Sequence, residues 1–153
     1  MLLDQFNTKQ ELDHLLASLS KFKLDLFNFT SEQLEQKLHD EYDVVFVNTL
    51  KELLKNNSLS INDDNKLQIE SLLDQVEKEA EEVEVLKITL AFTPTERFLA
   101  ELQNWISKHV GQNVLLDLLV REEIIGGAEI VYKGLYKDMT ISNKLENYEF
   151  KLS

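Results

Sequence analysis

The chain has 153 residues, with 28 acidic against 16 basic side chains, a net charge of -12, and 43% hydrophobic content. That balance fits a soluble globular chain of one domain or two small ones. It excludes a protein that grips nucleic acid, or an anionic membrane surface, through lysine and arginine. The absence of cysteine removes disulfides, thiolate metal sites and cysteine nucleophiles.

No targeting segment is expected at the N-terminus. Met1–Phe6 has neither a basic start nor an apolar stretch and cleavage site, and it lacks the Arg-rich pattern of a transit peptide. The apolar runs Val44–Val47 and Val114–Val120, the second broken by Asp117, fall far short of the ~20 residues a spanning helix needs. Direct membrane insertion is therefore not expected.

The first half reads as helices. Thr8-Lys9-Gln10-Glu11 is a capping box, and Leu12, Leu15, Leu16 and Leu19 follow on one face. Lys21–Phe29 alternates apolar and polar residues, which predicts a short strand or extended connector. Thr30-Ser31-Glu32-Gln33 is a second capping box, ahead of Leu34 and Leu38. Asp43 opens a third helix carrying Val44, Val47, Leu50 and Leu54 and ending at Asn56-Asn57. A polar loop, Ser58 to Asn65, precedes a longer helix with Ile69, Leu72, Leu73, Val76, Ala80 and Val83 at helical spacing.

The period changes near Val83 to Val85. All four glycines, Gly111, Gly126, Gly127 and Gly134, lie beyond it, as does the sole proline, Pro94. Val85 to Phe92 alternates like a half-buried strand. Thr93-Pro94-Thr95-Glu96 predicts a capping box with proline at the first helical position. The helix that follows carries Phe98, Leu102, Trp105, Ile106 and Val110, with Trp105 expected at its core or rim. Asn113 to Val120, largely apolar, reads as a central strand. Ala128–Lys133 and Leu135–Asp138 read as a hairpin turning at Gly134, and Thr140 as the cap of a last helix with Ile141, Leu145 and Tyr148. The fold class is α+β: a helical bundle over 1–84, then a small α/β domain over 85–153 with a mixed sheet.

Catalytic signatures are sparse. Gly126-Gly127 with Gly134 is not a phosphate loop, because no Gly-Lys-Ser/Thr follows and no helix opens there. His14, His39 and His109 show no ligand spacing, and no serine sits in a nucleophile elbow. Asn62-Asp63-Asp64-Asn65 fails as a calcium loop, since Lys66 and Leu67 occupy positions that need an oxygen ligand and a glycine. No cofactor or metal is expected. Between Glu70 and Glu84 the acids Glu70, Asp74, Glu77, Glu79, Glu81, Glu82 and Glu84 face one base, Lys78. They read as a solvated helix face, or as a patch that steers a basic partner.

From Val85 onward an ordered string of features resembles the C-terminal part of the delta subunit of F-type ATP synthases, the oligomycin-sensitivity-conferring protein family. It comprises the strand ending Leu90-Ala91, Leu99-Ala100-Glu101-Leu102, Gly111-Gln112-Asn113-Val114 and Ile124-Ile125-Gly126-Gly127. Ile130, Gly134, Asp138, Thr140 and Leu145 follow. A stalk component of V-type ATPases has a comparable C-terminal arrangement. The first half shares Phe46, Leu50, Leu54 and Asn56-Asn57 ahead of a long helix, but it is shorter than the usual bundle and lacks that bundle's opening motif and the arginine after the asparagine.

The resemblance implies a non-catalytic peripheral-stalk subunit that supports proton-driven ATP synthesis. Its bundle would hold the N-terminal helices of the alpha subunits, and its C-terminal domain the ends of the b-type stalk subunits. It would sit on the cytoplasmic side of a bacterial membrane through the complex. Gly126, Gly127, Gly134, Asp138, Thr140 and Leu145 would be its motif residues, mainly structural. Two other readings stay open: a small α/β enzyme or ligand-sensing domain, and an acidic helical adaptor with no rotary connection.

Overall fold

A computed structural model describes residues 6–111 and 114–140 of the chain. Residues 11–82 make one compact unit, and Phe6–Gln10 together with the residues from Val83 on make a second.

The helical unit is built on α1, Lys9–Asn28. Leu12, Leu15, Leu19, Phe22 and Leu26 recur at alternating steps of three and four, and all are buried. That stripe is what a helix turns toward its neighbours. The segment Lys21–Phe29 is therefore not a strand or connector, because it continues the helix as far as Asn28. Phe22, Leu24 and Leu26 do alternate, but burial follows the helical period. Phe22 and Leu26 are 0% exposed while Leu24 is 70% exposed.

Two caps behave as the sequence predicts. Thr30 Oγ1 accepts from the Gln33 amide while Gln33 Oε1 accepts from the Thr30 amide at 3.0 Å, which opens α2, Ser31–Glu41. Asp43 Oδ1 accepts from the Phe46 amide at 2.8 Å and opens α3, Val44–Asn56. The buried face of α3 differs from the expected one. Phe46, Thr49, Leu50, Leu53 and Leu54 point inward, Val47 is half-buried and Val44 lies on the outside. Phe46 has the larger apolar area, so the helix rotates to bury it. A short 3-10 turn, Asp63–Asn65, leads into α4, Lys66–Glu81, whose Ile69, Leu73, Val76 and Ala80 complete the core.

The second unit is a mixed four-stranded sheet with one helix. Its strands are β1 (Glu84–Leu90), β2 (Val114–Val120), β3 (Ala128–Tyr132) and β4 (Leu135–Asp138), in the order β2-β1-β3-β4. β1 pairs parallel with β2, aligning Leu86 with Leu116, and antiparallel with β3, aligning Ile88 with Ile130. A parallel pair needs a crossover, which α5 (Glu96–His109) supplies. Ile106 of α5 is buried with Leu86, Ile88, Leu90 and Leu116, and Phe98, Leu99 and Leu102 flank it.

Three expectations in this unit are corrected. β2 is not central but outermost, because β1 pairs on both sides and β2 on one. Its apolar run is still used: Leu115 and Leu116 are both buried, and the Leu116 amide donates to the Asn7 carbonyl at 3.0 Å, in a bridge between Thr8 and Leu116 that covers part of the edge. The cap of α5 is Thr95, whose Oγ1 accepts from the Phe98 amide at 3.2 Å, so Pro94 precedes the cap instead of starting the helix. With Phe98 at the third helical position there is no side chain to return the bond, and Thr95 caps alone. Trp105 is 52% exposed and stacks on His109 at 4.9 Å. The last helix expected after Thr140, with Ile141, Leu145 and Tyr148, lies outside the described residues.

The reassignment of Lys21–Asn28 has a measurable consequence. Phe22→Ala should cost about 3–5 kcal/mol in urea unfolding, whereas Leu24→Ala should cost less than about 0.5 kcal/mol. A strand would place both on one face, so equal costs would contradict the helix.

Candidate docking surfaces

Polar contacts within and between helices pair several of the charges in the helical unit. Lys37 Nζ reaches Glu41 Oε1 at 2.8 Å and Asp25 Oδ2 at 3.7 Å, and Lys21 reaches Glu41 at 3.3 Å. The Tyr42 hydroxyl donates to Asp25 at 2.8 Å; burial, and then that bond, push the phenol above its ordinary range. Lys23 binds Asp74 and Glu77, and Ser20 Oγ donates to Glu77 at 3.2 Å. Hydrogen bonds to Asp74 and then Glu77 push the Lys23 ammonium up to about 12.

The acidic run is thus partly consumed by the fold. Asp74 and Glu77 face Lys23, and Glu84, in the second unit, accepts from Lys133 at 2.7 Å and from Tyr132 at 2.5 Å. Those contacts hold the Glu84 carboxyl below its ordinary value, Lys133 before Tyr132. Three of its seven acids are paired in this way, and Glu70, Glu79, Glu81 and Glu82 make no ion pair among the described residues.

The helical unit has an apolar groove along α2 and α3. A groove of about 720 Å³ runs between them and the loop Ser58–Ile61. Its apolar lining is Leu38, Val47, Leu54, Leu59 and Ile61. Val47 and Leu54 share a face of α3 because they are seven residues apart, and Leu38 of α2 lines the same groove. Polar residues at the groove are Glu35 and His39 on α2 and Lys51 and Lys55 on α3. Sequence reading missed this groove, since it depends on which helices meet. The one hint was two lysines at i, i+4 on a helix of an acidic chain.

In the second unit the glycine motif forms one corner. After β2 the chain crosses the end of β1 to start β3, and both Gly126 (φ 65°) and Gly127 (φ 86°) take the left-handed backbone this reversal needs. A Cβ on Gly127 would lie 2.4 Å from the Met139 carbonyl oxygen and 2.8 Å from Thr140 Cα. The same corner holds Asp138, whose Oδ1 accepts from the Thr140 amide at 2.8 Å, and the Met139 amide, which donates to Ala128 at 2.8 Å. Thr140 is buried. Gly134 stands apart at the other end of the hairpin, where Lys133 (φ 50°) and Gly134 (φ 76°) make the turn with nothing near a Gly134 Cβ. Of the predicted motif residues, Gly126, Gly127, Asp138 and Thr140 come together, Gly134 does not, and Leu145 lies outside the described residues.

The histidines are dispersed. His14 lies 3.8 Å from Asp43, His39 2.8 Å from Asp40, and His109 against Trp105. Among the described residues no three His, Cys, Asp or Glu side chains gather as a metal site would require. No helix among them is long and apolar enough to cross a membrane.

The family model of the ATP synthase delta (OSCP) subunit matches residues 2–152. No curated protein matches the chain.

The glycine corner predicts an asymmetry. Gly134→Ala should cost about 1 kcal/mol, the penalty for a Cβ in left-handed backbone. Gly127→Ala should cost at least about twice as much, because the carbonyl of Met139 must also move. Thermal melts of the two variants decide it, and equal shifts would show that the close approach carries no weight.

Proposed function

We propose that this chain, which belongs to the ATP synthase delta (OSCP) subunit family, is the link that ties the catalytic head of a rotary F-type ATP synthase to its b-type stalk. Family membership makes it a peripheral-stalk subunit. The finer assignment joins each unit to one partner. The helical unit, residues 11–82, takes the N-terminal helices of the alpha subunits in the α2–α3 groove, and the second unit takes the ends of the b-type subunits.

The observation that carries this reading is the groove. Its floor is aliphatic with polar residues at its sides, and helical partners bind such grooves through anchors at i, i+3, i+4 and i+7. A stator performs no bond chemistry. It must resist torque, and what it needs are contacts that stay closed under load, which buried apolar area supplies without titrating. The motif residues Gly126, Gly127, Gly134, Asp138 and Thr140 then serve the shape of the second unit, with Leu145 beyond them. The chain is held at the cytoplasmic face of a bacterial membrane by the complex and not by insertion.

Affinity purification of the tagged chain from mildly solubilised membranes, read by mass spectrometry, tests both halves. The intact chain should recover alpha, beta and b subunits. Val47→Asp, in the groove, should reduce alpha and beta recovery by about tenfold while keeping b, because a carboxylate there must be desolvated when an apolar helix face covers it. A preparation without any of these subunits would overturn the stalk assignment. Loss of b instead of alpha would reverse the partner assignment.

A further inference from the structure

The charges around the α2–α3 groove say what kind of helix enters it. In the helical unit, Lys21, Lys23, Lys37 and Lys66 are each ion-paired to carboxylates. Lys51 and Lys55, like Lys78 of α4, are not, although the chain carries 28 acids, and among the described residues neither the Lys51 nor the Lys55 side chain has a hydrogen-bond or ion-pair partner. They lie one helical turn apart on α3, both at the groove and both exposed. Like charges at i, i+4 destabilise a helix slightly. The fold thus keeps two uncompensated cations beside an apolar slot in a protein of net charge -12. Across the slot α2 presents one acid, Glu35, and His39, which is 2.8 Å from Asp40. The positive side is the α3 side.

We infer that the groove selects an amphipathic partner helix whose apolar stripe is flanked, on the side that meets α3, by Asp or Glu. The inference rests on the groove being the one that grips the catalytic head. It adds that Lys51 and Lys55 set specificity and orientation. Aliphatic contacts along Val47, Leu54 and Ile61 accept many helices, and the lysine pair rejects one with a basic flank or a reversed direction. Because both lysines are exposed, their effect falls mainly on association rate and salt dependence.

The test uses two synthetic helices of about 18 residues, about five turns, with the same Leu/Ile stripe flanked by Glu in one and by Lys in the other. The chain has no cysteine, so a single Ser60→Cys substitution at the groove carries an environment-sensitive dye that reports binding there. The Glu-flanked peptide should bind with a Kd that weakens as salt rises, and about tenfold more tightly than the Lys-flanked one. Lys51→Glu with Lys55→Glu should invert that preference at a cost of only a few degrees in melting temperature, from placing acids near the C-terminus of α3. Equal binding of both peptides, preference for the Lys-flanked peptide, or no dye response to either would overturn the inference. Recovery of the head subunits by the intact chain in the purification above would leave the stalk assignment standing in each of those cases. Its loss would be a separate failure.

Discussion

One turn of α1 holds the helical unit together. Phe22 is wholly buried, its ring meeting Tyr42 edge-on at 6.1 Å and Phe46 of α3 at 6.2 Å. The residue before it, Lys21, pairs with Glu41 of α2 and lies over the Tyr42 ring at 4.4 Å, and the residue after it, Lys23, pairs with Asp74 and Glu77 of α4. Three consecutive side chains reach three different helices. Only a helix, advancing about 100° per residue, fans neighbours out this way, since a strand would send the first and third to one face. The groove depends on the same turn, because α2 and α3 are held by Tyr42, Phe46 and Glu41 at their adjoining ends.

That turn is also where sequence reading went astray. Local alternation of Phe22, Leu24 and Leu26 mimicked a strand, and only the longer stripe from Leu12 to Leu26 shows the true period. Capping was legible at Thr30 and Asp43 because each bond is made within a few residues. The cap of α5 was misplaced by two residues, at Thr93 instead of Thr95, since both carry the same chemistry and Pro94 fits either start. The hairpin at Gly134 was legible for the same local reason as the caps. The outer place of β2 was not, because its composition is set partly by Phe6–Gln10, more than a hundred residues earlier in the chain. The close approach of Gly127 to Met139 was likewise invisible, being a contact between two loops.

The charge distribution follows a similar division. The net charge of -12 is unevenly placed: Asp74, Glu77 and Glu84 are paired within the fold, while Glu70, Glu79, Glu81 and Glu82 of the same run make no ion pair among the described residues. What remains distinctive is the reverse feature, two exposed lysines beside an aliphatic slot. In the proposed linking role, apolar area would give lasting attachment, while exposed charge would set which helix docks, and in which direction, without adding a buried ion that would cost desolvation.

The central claim is mechanical, that this chain couples head to stalk and takes no part in the chemistry. Membrane vesicles from the source cells, depleted of the chain and then given it back, test this most directly when ATP hydrolysis and ATP-driven proton uptake are followed together. Depletion should leave hydrolysis running while proton uptake is lost, and added chain should restore uptake. Proton uptake that survives depletion, or hydrolysis that disappears with the chain, would contradict the account.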